Sequence, residues 1–165
     1  MHLRLLTSED EPFLWTALYH AIHVPPGETA PASEIVRQPE IARYVSGWMR
    51  AGDWGVIAET DGVPLGAAWL RLWTPDERGY GFVDGATPEL TMAVLPGHRG
   101  AGLGTLLLSR LLAEAAEHYR AVSLSVSSSN PAQRLYRRAG FTPVGRPEGG
   151  SVTMVVRLSA GGPVG

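Results

Sequence analysis

The sequence has no cysteine. Disulfides, thiolate metal sites and cysteine nucleophiles are therefore excluded. It has no lysine either, since all 14 basic residues are arginine. The bias is read as codon usage in a GC-rich genome. Its consequence is that the Gly-Lys-Ser/Thr ending of a phosphate-binding P-loop is missing. No apolar run reaches the ~20 residues of a membrane span, and the Met1-His2-Leu3-Arg4 start lacks signal-peptide features. The expectation is no membrane association and a cytoplasmic location. The five histidines are scattered, and only His20 and His23 sit close together, with no carboxylate spaced to complete a site. No metal is expected. The arginines neither cluster in a run nor interleave with aromatics, so no nucleic acid is expected.

What remains is ordinary for a soluble globular chain: 165 residues, 44% hydrophobic and 18% charged. That length predicts one domain over 1–158, large enough for its own core. Residues 159–165 are small and predict a flexible C-terminal tail. Charge is uneven. Residues 1–90 hold 6 Arg against 13 Asp and Glu, a net of −7, and residues 91–165 hold 8 Arg against 3 Glu, a net of +5. Such fields steer charged ligands, and a chance asymmetry is the alternative.

Strand and helix patterns alternate along the chain. His2 to Leu6 reads as a strand. Thr7-Ser8 before three acids is a helix start, with Leu14, Leu18, Ala21 and Ile22 on one face. Val24 to Ser33 is a proline-bearing loop. Pro39 opens a second helix with Ile41, Val45, Trp48 and Met49 on a common side, stopped by Gly52. Asp53 to Thr60 and Val63 to Trp73 are strands joined at Asp61-Gly62, a strong hairpin signal. Trp69, Arg71 and Trp73 share one face of the second. Thr74 to Thr87 is a loop. Strands over 90–94, 122–126 and 151–158 and a hairpin opening at Phe141 complete the pattern, with helices after Leu103 and over 131–139. The first of those two carries Leu103, Leu106, Leu107, Leu111, Leu112 and Ala115 as its apolar face. The fold class is α/β (α+β mixed): a twisted, mostly antiparallel mixed sheet with helices on both faces.

The stretch from Glu89 to Tyr119 organises the rest. A short strand leads through Pro96-Gly97 into Arg99-Gly100-Ala101-Gly102-Leu103-Gly104, and a leucine-rich helix follows. Glycines let the backbone approach a ligand, and the free N–H groups of the first helical turn point at it. The helix dipole and Arg99 add attraction for phosphate. A dinucleotide fingerprint does not fit, because the third glycine arrives one residue early and no carboxylate stands about twenty residues on. A glycine turn that merely starts a core helix is the alternative.

Arg99-x-x-Gly102-x-Gly104 between strand and helix resembles the acetyl-CoA loop of the GNAT N-acetyltransferase superfamily. Asn130-Pro131-Ala132-Gln133-Arg134-Leu135-Tyr136-Arg137-Arg138-Ala139-Gly140-Phe141 is similar to that superfamily's second signature, Asn, then a helix carrying Tyr, then Gly-Phe. Two signatures in order are more specific than either alone. The resemblance covers roughly residues 40–158, and the N-terminal part matches in element order only.

The resemblance implies an enzyme that moves an acetyl group from acetyl-CoA, as co-substrate, to a primary amine of a small molecule or peptide, by direct attack in a ternary complex. It implies that Met92, Ala93 and Val94 hold the pantetheine arm, with a backbone N–H toward the acetyl oxygen. The amides of Arg99, Gly100, Ala101, Gly102, Leu103, Gly104 and Thr105 would take the pyrophosphate. Asn130 would bond the arm, and Tyr136 would protonate the leaving sulfur. Glu89 is the candidate base, directly or through a water; a solvated strand-end acid is the alternative reading. Two departures stand out. Ser125 occupies a position where some relatives have glutamate, and the Asn130-to-Tyr136 spacing is one residue shorter than in many. Tyr44, Trp48, Trp73 and Asp84 are candidates for acceptor contact, with packing or surface exposure as the alternative for each. A homodimer through an edge strand is compatible with the fold. A non-catalytic acyl-CoA sensor, a nucleotide-binding domain of another class and a transferase of another acyl group are the competing functions.

Overall fold

The computed structural model describes residues 1–159; the expected tail, apart from Ser159, lies outside the described residues. The strands are β1 (His2–Leu5), β2 (Trp54–Thr60), β3 (Val63–Arg71), β4 (Glu89–Val94), β5 (Ala121–Ser127), β6 (Thr142–Glu148) and β7 (Ser151–Arg157). The α-helices are α1 (Glu11–Ala21), α2 (Pro39–Ala42), α3 (Leu103–Ala115) and α4 (Gln133–Arg138). The strands form one seven-stranded sheet in the order β1-β2-β3-β4-β5-β7-β6. Every neighbouring pair is antiparallel except β4 and β5.

Period-two patterning sends alternate residues to two cores. Val56, Ala58, Ala68, Leu70 and Leu90 pack with Leu107 and Leu111 of α3 and with Phe141. Ile57, Ala67, Trp69 and Ala93 pack on the other face, with Leu14 and Leu18 of α1 and with Val45 and Trp48. Each fully buried leucine contributes roughly 2 kcal/mol of transfer free energy. The β2–β3 turn places Asp61 at φ 50° and Gly62 at φ 76°, the paired left-handed conformation of a tight hairpin. Edge strand β6 carries Pro143 and Pro147, which donate no backbone hydrogen.

Two sequence expectations are corrected. The second helix does not run to Met49. α2 ends at Ala42, and turns carry the chain onward, with Gly47 at φ 70° and Met49 at φ 73°. The cause is Arg71, whose side chain is 1% exposed. Its Nη1 donates to the carbonyls of Arg43 (2.9 Å) and Ser46 (2.5 Å), and its Nε and Nη2 bond the Asp53 carboxylate. Those carbonyls satisfy a buried cation instead of a continuing helix. Met49 is 46% exposed as a result. On α3 the buried stripe runs through Leu103, Leu107, Leu108, Leu111 and Ala115. Leu106 faces outward at 45% exposure, because the sheet takes Leu108 instead.

Candidate active site

β4 is the axis of the site. On one side it pairs with β3 along its whole length. On the other it meets β5 at a single register pair, Glu89 with Ser123, and the two strands then part. Leu95 N donates to Leu65 O across the β3 side (2.9 Å). Strand alternation therefore turns the peptide groups of Met92 and Val94 toward the gap, while Ala93 bonds toward β3. A cleft of about 1070 Å³ follows the gap. Its walls include β4, the glycine loop, Asn130, Tyr136 and, at the far end, Tyr44, Tyr80 and Glu89.

The glycine loop is built for close approach. Gly97, Gly100 and Gly102 have φ between 81° and 89°, and a Cβ on any of them would meet nothing within 4 Å. Those residues are glycine for their backbone conformation, beside open space. Among the described residues, no backbone hydrogen bond is donated by residues 99–105; the first comes from Leu106 N to Gly102 O (3.2 Å). Seven amides at the start of a 13-residue helix are thus free for an anion. The donor set fits the diphosphate of a coenzyme A thioester. The Arg99 guanidinium reaches back from this loop. Its Nε donates to Val94 O (2.9 Å) and its Nη2 to His20 O (3.2 Å), tying α1 to the end of β4. Its charge and burial hold His20 below the usual imidazole range, with burial the larger cause.

Asn130 and Tyr136 stand across the gap. Asn130 Oδ1 accepts from Ala132 N (2.9 Å), so the start of α4 fixes the side chain and leaves its NH₂ as donor. Tyr136 is 8% exposed and packs edge-on against Phe141 at 5.9 Å. Burial pushes its phenol up to about 12.

Glu89 is no solvated acid; it is 3% exposed. Its Oε2 accepts from Tyr44 Oη (2.7 Å), and its Oε1 accepts from Trp73 Nε1 (2.9 Å) and Gly81 N (3.0 Å). Burial raises its carboxyl to about 7, against the pull of those three donors. Such a value suits a general base near neutral pH. The loop before β4 lies directly on this group. A Cβ at Gly79 would fall 2.6 Å from Tyr44 Oη and 2.7 Å from the Trp73 ring. A Cβ at Gly81 would fall 2.9 Å from Glu89 Cδ and 2.8 Å from the Leu124 backbone. Ser123 Oγ pins the same turn by donating to Gly81 O (2.7 Å).

The four acceptor candidates separate. Tyr44 lines the cleft. Trp73, 2% exposed, holds Glu89 from behind. Trp48 is buried in the second core, donating to Thr7 O. Asp84 caps its own loop through Ala86 N. Neither Trp48 nor Asp84 reaches the cleft. The acidic half does not make an acidic wall either. Asp10 and Glu59 pair with Arg4, Asp53 with Arg71 and Glu77 with Arg50. Among the described residues Glu89 is the one carboxylate in the lining, beside Leu18, Ile22, Ile35, Ile41 and Tyr80. Sequence reasoning missed Gly79, Tyr80 and Gly81, whose signal was a Gly-Tyr-Gly triplet inside a loop. It also missed His23, whose buried Nε2 has no partner among the described residues. No group of three metal-ligating side chains and no helix long and apolar enough to cross a membrane occurs among the described residues.

Comparisons with known proteins find relatives in sequence and in fold. The family model described as Acetyltransferase (GNAT) family matches residues 15–141. The chain is 36% identical over 89 residues to an L-methionine sulfoximine/L-methionine sulfone acetyltransferase of Salmonella typhimurium. That match covers 53% of this chain and 49% of the relative, so the chain spans about half the relative's length. Among solved structures, it is similar to a ribosomal-protein-alanine N-acetyltransferase of Brucella melitensis: 25% identity, TM-score 0.65, 96% of this chain and 100% of that one. A Salmonella typhimurium structure with its cofactor acetyl-CoA shares the fold, with 24% identity, TM-score 0.68, and coverage of 100% and 98%.

Proposed function

Because the chain belongs to the acetyltransferase (GNAT) family, we propose that it transfers an acetyl group from acetyl-CoA to a primary amine of a small molecule or peptide, by direct attack in a ternary complex. One observation carries this reading: of the seven residues 99–105, whose amides are unbonded, all but Ala101 line a cleft shared with a buried carboxylate and a buried phenol. An anion grip, a base and an acid are what acyl transfer from a thioester to an ammonium requires.

Each residue then has a task. The amides from Arg99 through Thr105 hold the diphosphate. Met92 and Val94 turn their peptide groups to the pantetheine arm, and one of those N–H groups faces the acyl oxygen. Asn130 donates to the arm. Glu89 takes the amine's proton. Tyr136, neutral at working pH because its phenol sits at about 12, gives its hydroxyl proton to the departing sulfur. The apolar wall of Leu18, Ile22, Ile35, Ile41 and Tyr80 favours an amine on a compact apolar body. Amino acids like those named for the Salmonella relative, and a peptide beginning with alanine, are the first two classes to try.

The test is free-thiol release from acetyl-CoA with L-methionine sulfone, an Ala-starting peptide, benzylamine and spermidine. Saturable turnover with one of the first three is expected. Acetyl-CoA binding without turnover of any amine would favour the sensor reading, and turnover only with another acyl-CoA would move the acyl group. Turnover of spermidine alone would contradict the apolar acceptor wall.

A further inference from the structure

The placement of Glu89 leaves an open question of access. Trp73 and Gly81 occupy Oε1, and the backbone over Gly79 to Gly81 is packed against the carboxylate with no room for a methyl group. The remaining oxygen, Oε2, accepts from the hydroxyl of Tyr44, and the residue is 3% exposed. That hydroxyl is spoken for on two of its three valences. It donates to Oε2 at 2.7 Å and accepts from Tyr80 N at 2.7 Å. Its second lone pair is unpartnered among the described residues, and Tyr44 lines the cleft.

We propose that Tyr44 relays the acceptor's proton to Glu89. The step rests on the acetyltransferase reading above. In it the ammonium N–H bond breaks and a new O–H bond forms on Tyr44 Oη. In concert the original Tyr44 O–H bond breaks and an O–H bond forms on Glu89 Oε2. The amine is left neutral, Tyr44 ends neutral as it began, and Glu89 carries the proton until the hop reverses to water. Burial and the neighbouring Glu89 charge hold the Tyr44 phenol far above its ordinary range, so a free tyrosinate does not form and both protons move together. Tyr80 N fixes the hydroxyl by donating to it, which aims its hydrogen at Glu89. The ring is held edge-on to Trp73 at 5.0 Å and stacked under Tyr80 at 6.5 Å.

The other polar and charged groups facing Glu89 do not offer a second route. From β3, Arg71 is its register partner, but that guanidinium is committed to Asp53 at 2.8 Å. From β5, Ser123 bonds Gly81 O. Trp73 Nε1 and Gly81 N only donate.

Tyr44→Phe in the full chain keeps the ring and removes the relay. With saturating acetyl-CoA and the best amine of the panel, the high-pH plateau of kcat should fall about 100-fold, with KM for acetyl-CoA within about twofold. The acid limb of kcat/KM should also move to higher pH, because a donor that stabilises the carboxylate is gone. Adding Tyr44→Phe to Glu89→Gln should cost little more than Glu89→Gln alone, since both remove one pathway. In wild type, kcat/KM in mixed H₂O and D₂O should curve with deuterium fraction, as two protons in flight require. A plateau unchanged in Tyr44→Phe, with only the limb displaced, would overturn the relay and leave Glu89 taking the proton directly. A linear dependence on deuterium fraction in wild type would overturn it without any variant. A wild type inactive on every amine would instead sink the acetyltransferase reading, and the relay with it.

Discussion

The two glycine-bearing loops at the ends of β4 look alike in the sequence and do opposite work. After the strand, Gly97, Gly100 and Gly102 have left-handed backbones and a Cβ on any of them would meet open space. Before it, Gly79 and Gly81 need no special φ; they lack a side chain because Glu89, Tyr44 and the β5 backbone are already there. One loop is glycine for its backbone conformation beside open space, and the other because no side chain fits against the carboxylate. The first leaves seven backbone amides unbonded. The second desolvates a carboxylate and raises it to about 7. A glycine count cannot distinguish these roles, whereas substitution can.

Glu89→Gln should give the largest effect, a loss in kcat/KM of about a thousandfold, equivalent to roughly 4 kcal/mol. Glu89 is a base only when ionised. Wild-type activity should therefore rise as pH passes through about 7 and level off above it, while the variant should be flat there, checked by a pH–rate profile. Stability should move the other way. The folded state keeps this proton up to about 7 against 4.5 for an ordinary glutamate, so wild type should lose stability between those values as pH rises. Glu89→Gln should not, as melting at several pH values will show.

Gly81→Ala comes next. Its Cβ collides with backbone atoms that cannot rotate away, and a cost of roughly 3 kcal/mol is expected in denaturant melts. Tyr136→Phe should slow turnover about 100-fold while acetyl-CoA binding by calorimetry stays unchanged. Gly100→Ala should be the mildest, near 1 kcal/mol of backbone strain, seen mostly as weaker coenzyme binding. If Gly100→Ala proved the more destabilising of the two alanine variants, the contrast between the loops would collapse.

The mixed sheet and the first helix were legible because hydrophobic period two, the Asp61-Gly62 turn and the Thr7 cap, which opens a short 3-10 turn leading into α1, are local signals. The glycine loop was legible because left-handed backbone there requires glycine. Glu89 could be named, but not its burial, which depends on Tyr44 coming from 45 residues away. The helix expected through Met49 failed for the same kind of reason. Its carbonyls are taken by Arg71, distant in sequence and placed by β3. Tyr44 and Trp73 were singled out as acceptor contacts from their position in the chain. The hydrogen bonds that attach them to Glu89 are tertiary and leave no local trace.

Amide hydrogen exchange with and without saturating acetyl-CoA addresses both loops in one experiment. Residues 99–105, whose amides are unbonded in the free protein, should exchange far more slowly with the coenzyme present, and residues 79–82 should hardly change. Bound coenzyme with 99–105 exchanging as before, or protection confined to 79–82, would contradict the assignment of the open loop as the anion grip.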